Sequence, residues 1–200
     1  MEKDKPLLLI VAGPNGAGKT TFIDTYLPEY TSVREFVNAD LIAKGISPFA
    51  PEGASVEAGR FLLRRVHQLL DDRISFALET TLSGRGHVEL FREAKNLGYD
   101  IQLYYIYLDS VELSLSRIEE RVRKGGHNVP RADVIRRYGR SLENFFQLYL
   151  PFANEWQIFE NSGKECRPVA AWVGDELDVA DSSLYLEILS KHGHLPTSVS

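Results

Sequence analysis

The run LLLIVAGPNGAGKT restricts what this chain can fold into more than any other stretch. Residues 7–13 are continuously apolar and end in glycine, the pattern of a parallel strand covered on both faces. Residues 13–20 then match G-x-x-x-x-G-K-[ST], and GKTTFIDTYLPEY reads on as a helix that closes near Pro28. A strand before the loop and a helix after it are what make this pattern a phosphate-binding loop. Gly13, Gly16 and Gly18 let backbone N–H groups turn inward, and the helix N-terminus adds positive potential. Asn15, Ala17 and Thr21 complete the expected cradle. Lys19 is placed to reach the β- and γ-phosphates of a nucleoside triphosphate, and the Thr20 hydroxyl to ligate Mg²⁺.

Strands and helices alternate beyond the loop. REFVNAD (34–40) reads as a second strand ending in Asp40, SFALET (75–80) as a third, and IQLYYIYLD (101–109) as a fourth. Residues 55–72 read as a helix with Phe61/Leu62, Val66 and Leu69/Leu70 on one side. GHVELFREAKNLG reads as another, stopped by Gly98. VELSLSRIEERVRK carries a stripe of Val111, Leu115, Ile118 and Val122. After GGHNVPRAD a further helix turns Ile135, Tyr138, Leu142, Phe145 and Tyr149 inward. Short strands near 156–160 and 167–173 and a last helix at 181–191 complete the order. This alternation predicts an α/β fold: a three-layer P-loop NTPase sandwich with a mostly parallel, doubly wound sheet. Residues 1–200 are expected to form one domain, with a helical lid at about 117–140 and a frayed tail at about 192–200. In such sheets ligands bind where strands end and helices begin.

A chain of 200 residues with 44% apolar residues can bury a substantial core. Its net charge of -5 argues against wholesale nucleic-acid binding, while leaving room for a local basic patch. The single cysteine, Cys166, cannot form an internal disulfide, which suits a reducing cytosol. MEKDKPLLLIVAG is too short in its apolar part to span a membrane and has no small-residue cleavage site. A cytoplasmic protein with neither nucleic-acid nor membrane partners is expected.

Several kinds of protein carry a phosphate loop. LSGRG (82–86) superficially resembles the LSGGQ signature of transporter ATPases, and YYIYLD follows it. But Asp109 is followed by Ser110 where a catalytic Glu is required, and LSGRG lies too close to Lys19 for the usual intervening helical subdomain. LSGRG therefore reads as the turn before the next helix. No N-K-x-D or D-x-x-G stretch supports a GTPase. A kinase explains more residues, because kinases of this fold clamp an acceptor with carboxylates from the second and third strands. Asp40 and Glu79 stand at those places, although a carboxylate after a strand also serves as a helix cap. Between Arg117 and Arg140 lie Arg117, Arg121, Arg123, Lys124, Arg131, Arg136, Arg137 and Arg140 against Glu119, Glu120 and Asp133. Arg117, Arg121 and Lys124 share a helical face by spacing, and GGHNVP supplies glycine hinges for a closing loop. Spacing does not separate Arg121 from Arg123, or Arg136 from Arg137. The other class of function open to such a chain is a nucleotide-binding switch or ATPase subunit that acts on a partner protein.

GPNGAGKTT, FVNAD, ALETTLSG and RVRKGGHNVPRADVIRRYGRSLENF together resemble the zeta-toxin-like P-loop kinases. More closely, they resemble the short bacterial branch often labelled predicted ABC-type ATPases. The resemblance runs from about Leu7 to Asn161. It implies ATP and Mg²⁺ as cofactors and phosphorylation of a hydroxyl on a UDP-activated amino sugar. It also implies an antitoxin protein that holds the kinase inactive. Asp40 matches the base and Glu79 the acidic residue after the third strand. The arginines around GGH match phosphate clamps, with Arg121 and Arg137 expected to stabilise the transferring group. Glu79 would hold either the acceptor or a magnesium-bound water. Arg60, Thr80, Arg123 and Arg136 are the further candidates for acceptor contacts, and Asn161 and Ser162 for the adenine side.

Overall fold

The computed structural model describes residues 5–31 and 33–192, apart from the side chains of 27–30 and 192. Most of the expected tail lies outside the described residues. Five strands run parallel: β1 (Leu7–Ala12), β2 (Glu35–Val37), β3 (Phe76–Thr80), β4 (Asp100–Tyr107) and β5 (Glu155–Glu160). Two more, β6 (Arg167–Val173) and β7 (Glu176–Val179), pair antiparallel. The sheet order is β2-β3-β1-β4-β5-β6-β7. β1 therefore lies between β3 and β4, which explains a strand with no polar alternation. Leu8 and Ile10 pack into the larger core on one face, and Leu9 and Val11 into a smaller one on the other. Burying each such side chain stabilises the fold by roughly 1.5–3 kcal/mol.

The helix α1 (Lys19–Tyr30) covers the smaller core with Phe22 and Ile23, running past Pro28. α3 (Ser55–Asp71), α4 (Val88–Asn96) and α7 (Ser182–His192) cover the larger one, joined to α1's side through α2 (Ala39–Ile46) and a 3-10 turn at Pro51–Ala54. Helices on both faces make the α/β sandwich that the alternation predicts. After β4, α5 (Val111–Arg123) and α6 (Arg131–Asn144) form a hairpin with its own small core of Leu115, Ile118, Val129 and Val134. A π-helical turn (Phe145–Tyr149) leads from α6 back into the main core.

Three apolar residues expected inside are outside: Phe61, Val122 and Ile135 are 49%, 39% and 47% exposed. On α3 the buried stripe is Ala58, Leu62, Val66, Leu69 and Leu70, which leaves Phe61 beside it under the Arg64 guanidinium. On α5 the stripe ends at Ile118, and in the hairpin Val134 fills the place expected of Ile135. The strand β7 has no apolar signature because it is a polar edge strand. A Gly174–Asp175 turn makes it, with φ of +60° and +63° at the two positions, as a tight hairpin requires. No helix among the described residues is long and apolar enough to cross a membrane.

Candidate active site

The chain leaves β1 through Gly13, at φ +144°, and then passes Gly16 and Gly18 at +77° and +86°. A Cβ on Gly13 would lie 2.4 Å from the Ile106 carbonyl oxygen, and one on Gly18 2.6 Å from Asn161 Nδ2. The loop is braced from outside. Asn161 Nδ2 donates to the Ala17 carbonyl at 2.7 Å, and the Arg117 guanidinium spans the carbonyls of Gly16 and Ser162 at 3.5 Å each. Lys19 is 6% exposed; its Nζ donates to the Pro14 carbonyl at 3.0 Å and lies 3.8 Å from Glu79 Oε1. Burial pushes the Lys19 ammonium below its ordinary value. The Glu79 and Asp40 carboxylates pull it back, and the Arg121 and Arg137 guanidiniums push it down again. These four side chains therefore share one electrostatic neighbourhood around the lysine.

Glu79 Oε2 accepts from Thr20 Oγ1 at 2.8 Å and from Asn38 Nδ2 at 2.6 Å. Asn38 Oδ1 in turn accepts from the Leu41 N–H at 3.0 Å and caps α2. Asp40 thus does not end a strand. β2 stops at Val37, and Asp40 sits in the first turn of α2, where its charge complements the helix dipole. The cap that a carboxylate here might have supplied is made by Asn38, and the exposed Asp40 lines the cleft instead. Among the described residues no three His, Cys, Asp or Glu side chains gather as a metal cluster. The donors present still fit Mg²⁺: Thr20 and Glu79 offer hard oxygens beside the phosphate loop, and phosphates and water normally supply the rest of its shell.

The cleft has a volume of about 390 Å³ and is lined by Asn15, Lys19, Asn38, Asp40, Glu79, Thr80 and Arg137, with Gly59, Leu62 and Leu63 of α3. Arg121 of α5 does not line it but acts electrostatically on Lys19; its Nε and Nη2 are buried without a hydrogen-bond partner under Gly126, which packs against its side chain. Arg123 and Lys124 instead point to solvent, and Lys124 pairs with Glu120 at 2.7 Å. Arg136 pairs with Asp133 at 2.6 Å and lines an adjoining recess with Arg137 and Arg140. Arg60 is exposed and does not line the cleft, because its neighbours Gly59 and Leu62 occupy the inward arc of α3. Thr21 is exposed as well. Thr80 lines the cleft, but its Oγ1 already accepts from the Leu82 N–H at 3.1 Å.

The LSGRG segment is a turn, as its neighbours imply. Leu82 is buried at φ +51°, and Thr81 and Ser83 hydroxyls meet at 2.9 Å. Ser141 and Asn144 of α6 donate to the carbonyls of Thr81 and Leu82 at 2.6 and 2.7 Å, and the Tyr149 hydroxyl donates to that of Gly84. This pinning presents His87 to the cleft. Burial pushes the imidazole below its ordinary value, and Nδ1 has no partner. Sequence reasoning missed both Asn38 and His87. Asn38 carries a usable signal, a cap residue between strand and helix; a lone histidine in a polar turn carries none.

A parallel core of order 2-3-1-4-5, with a phosphate loop after its central strand and a carboxylate on the adjacent one, gives this chain an α/β P-loop NTPase fold. The zeta toxin family model matches residues 1–166, and the chain belongs to that family. An uncharacterized protein of Haemophilus influenzae is 34% identical over 130 residues, 65% of this chain and 91% of that one. The AvrRxo1-ORF1:-ORF2 complex with ATP superposes with a TM-score of 0.74 at 21% identity, over 98% of this chain and 66% of the solved one. This chain thus spans slightly less than two thirds of that relative. A structure of the PezAT chromosomal toxin-antitoxin system of Streptococcus pneumoniae gives 0.65 at 16% identity, over 100% and 82%.

Proposed function

We propose that this protein transfers the γ-phosphoryl group of ATP to a hydroxyl of a small acceptor. The observation that carries the reading is that Lys19, Asp40, Glu79 and Arg137 line one cleft at the C-terminal ends of the strands. The acceptor oxygen forms the new P–O bond as the bond to the β-phosphate oxygen breaks, and ADP leaves. Asp40 takes the hydroxyl proton and orients the oxygen, a modest task because this transition state is loose. Lys19, Arg121 and Arg137 hold the transferring group by charge-assisted hydrogen bonds. Mg²⁺, when bound, supplies neutralisation of charge between the phosphates. Thr20 and Glu79 would hold it, directly or through water.

The recess of Arg136, Arg137 and Arg140 suits an acceptor that carries its own anionic group, such as a UDP-activated amino sugar. Membership of the zeta toxin family supports that class and an antitoxin partner, and an ATP-consuming reaction suits the cytoplasm. The test is ATP consumption by the pure protein with and without sugars, nucleosides and nucleotide sugars. Acceptor-dependent turnover is expected, lowered about a hundredfold or more by Asp40→Asn and about a thousandfold by Arg137→Ala. Turnover that ignores every acceptor and survives Asp40→Asn would overturn the reading in favour of a nucleotide-driven switch. A toxin role adds that expression arrests growth and that Lys19→Ala relieves the arrest.

A further inference from the structure

Asn38 is 5% exposed and stands between the two carboxylates of the cleft. Both ends of its short amide are committed. Oδ1 starts α2 by accepting from Leu41, and Nδ2 donates to the same Glu79 oxygen that accepts from Thr20. Each contact fixes the rotation of the other, because the amide has an acceptor at one end only. Asp or Ser would cap this helix about as well as Asn does, and Thr somewhat less well. What they lack, and the position uses, is a donor toward Glu79.

We propose that Asn38 is a positioning residue that ties the Thr20–Glu79 pair on the phosphate side to the helix presenting Asp40 on the acceptor side. Asp40 lies in the turn that Asn38 begins, so the amide sets where that carboxylate stands. The same amide holds the Glu79 oxygen in line with the Thr20 hydroxyl at 2.6 and 2.8 Å. A ligand that shifts Glu79 is thereby felt at Asp40. The role of Asp40 rests on the kinase reading; the chain of hydrogen bonds does not.

Asn38→Ser keeps a capping oxygen and loses the donor. Asn38→Asp keeps the cap but sets a second carboxyl against Glu79, in a cleft that Lys19, Asp40, His87 and Arg137 also face. Outer-shell changes of this kind typically cost about 10–100-fold. We therefore expect Asn38→Ser to melt near the wild type, to lose about tenfold or more in kcat with KM for the acceptor little changed, and to need more Mg²⁺ to bind ATP. Asn38→Asp lacks the donor as well and adds like-charge repulsion against Glu79, so it should lose at least as much kcat as Asn38→Ser. Wild-type kcat and Mg²⁺ requirement in Asn38→Ser, or wild-type kcat in Asn38→Asp, overturns the proposal. If one variant fails to fold, the other and Asn38→Thr carry the same comparison. Melting and Mg²⁺-dependent ATP binding need no acceptor. A wild type inert toward every acceptor would therefore sink the kinase reading while leaving this one to its own result.

Discussion

Gly13 and Gly18 are interchangeable in the sequence pattern and different in the molecule. A methyl on Gly13 would meet the Ile106 carbonyl, which belongs to β4 and cannot yield without moving the sheet. A methyl on Gly18 would meet the end of the Asn161 side chain, which can swing away and give up its bond to Ala17. Gly13→Ala should therefore lower the melting temperature, with backbone strain alone costing about 1–3 kcal/mol. Gly18→Ala should melt closer to the wild type but bind ATP more weakly. Thermal melts beside nucleotide titrations decide this, and the opposite ranking of the two melts would refute it. His87 makes a pH prediction at the same scale. Its folded-state value lies below the ordinary 6.5, because burial disfavours the imidazolium. The unfolded chain thus takes up the proton first, and stability present above about pH 6.5 is lost as pH falls below it. His87→Gln should flatten that part of the stability curve, measured by denaturant titration across the interval.

At the scale of elements, the α5–α6 hairpin divides into an anchored part and a closing part. The C-terminal half of α6 is fixed by Ser141, Asn144 and Tyr149 to the turn at 81–84. The first half of α6 and the GGHNVP loop rest on the small core they share with α5, which is itself tied to the phosphate loop through Ser114 and Arg117. His127 of that loop stands 3.8 Å from Glu52 of the turn before α3, beyond hydrogen-bond reach and an ion pair only when the ring is protonated. We expect this pair to hold the loop over Arg121. His127→Ala and Glu52→Gln should each raise KM for ATP severalfold with little change in melting temperature, since a partly exposed pair contributes only about 0–1 kcal/mol. Unchanged KM in both variants would remove the clasp. Periodicity made the elements legible where one face of each is buried, as in β1, β3 and β4. It gives direction around a helix and not depth. Arg117, Arg121 and Lys124 share a face by spacing, yet Arg117 braces the phosphate loop, Arg121 lies under Gly126, and Lys124 pairs with Glu120 in solvent. Asp40 was legible as a residue of the site but not as part of a helix, because a three-residue strand leaves too few alternations to locate its end.

At the scale of the whole molecule, the family match ends at residue 166 and the core does not. Val169, Ala170, Tyr185 and Ile188 belong to the same cluster as Leu8 and Ile10, and they cover Trp156 and Ile158 on β5. Arg167 joins Glu160 at 3.0 Å and Asp181 at 2.7 Å, and a Glu160 carboxylate oxygen accepts from the Ser162 N–H. The last third of the sheet thereby fixes the loop whose Asn161 braces the phosphate loop. Val169, Tyr185 and Ile188 alone represent on the order of 5 kcal/mol of apolar burial, against a typical total stability of about 5–15 kcal/mol. A chain cut after residue 166 should therefore fail to melt cooperatively, whereas the full chain should melt in one transition. Arg167→Ala offers the finer test, since it leaves that apolar burial in place while releasing Glu160 from its cation. It should fold, and lose ATP affinity through the loosened 160–162 loop. A 1–166 chain that melts within a few degrees of the full one would show that the domain closes before β6, and the role given to Arg167 would fall with it.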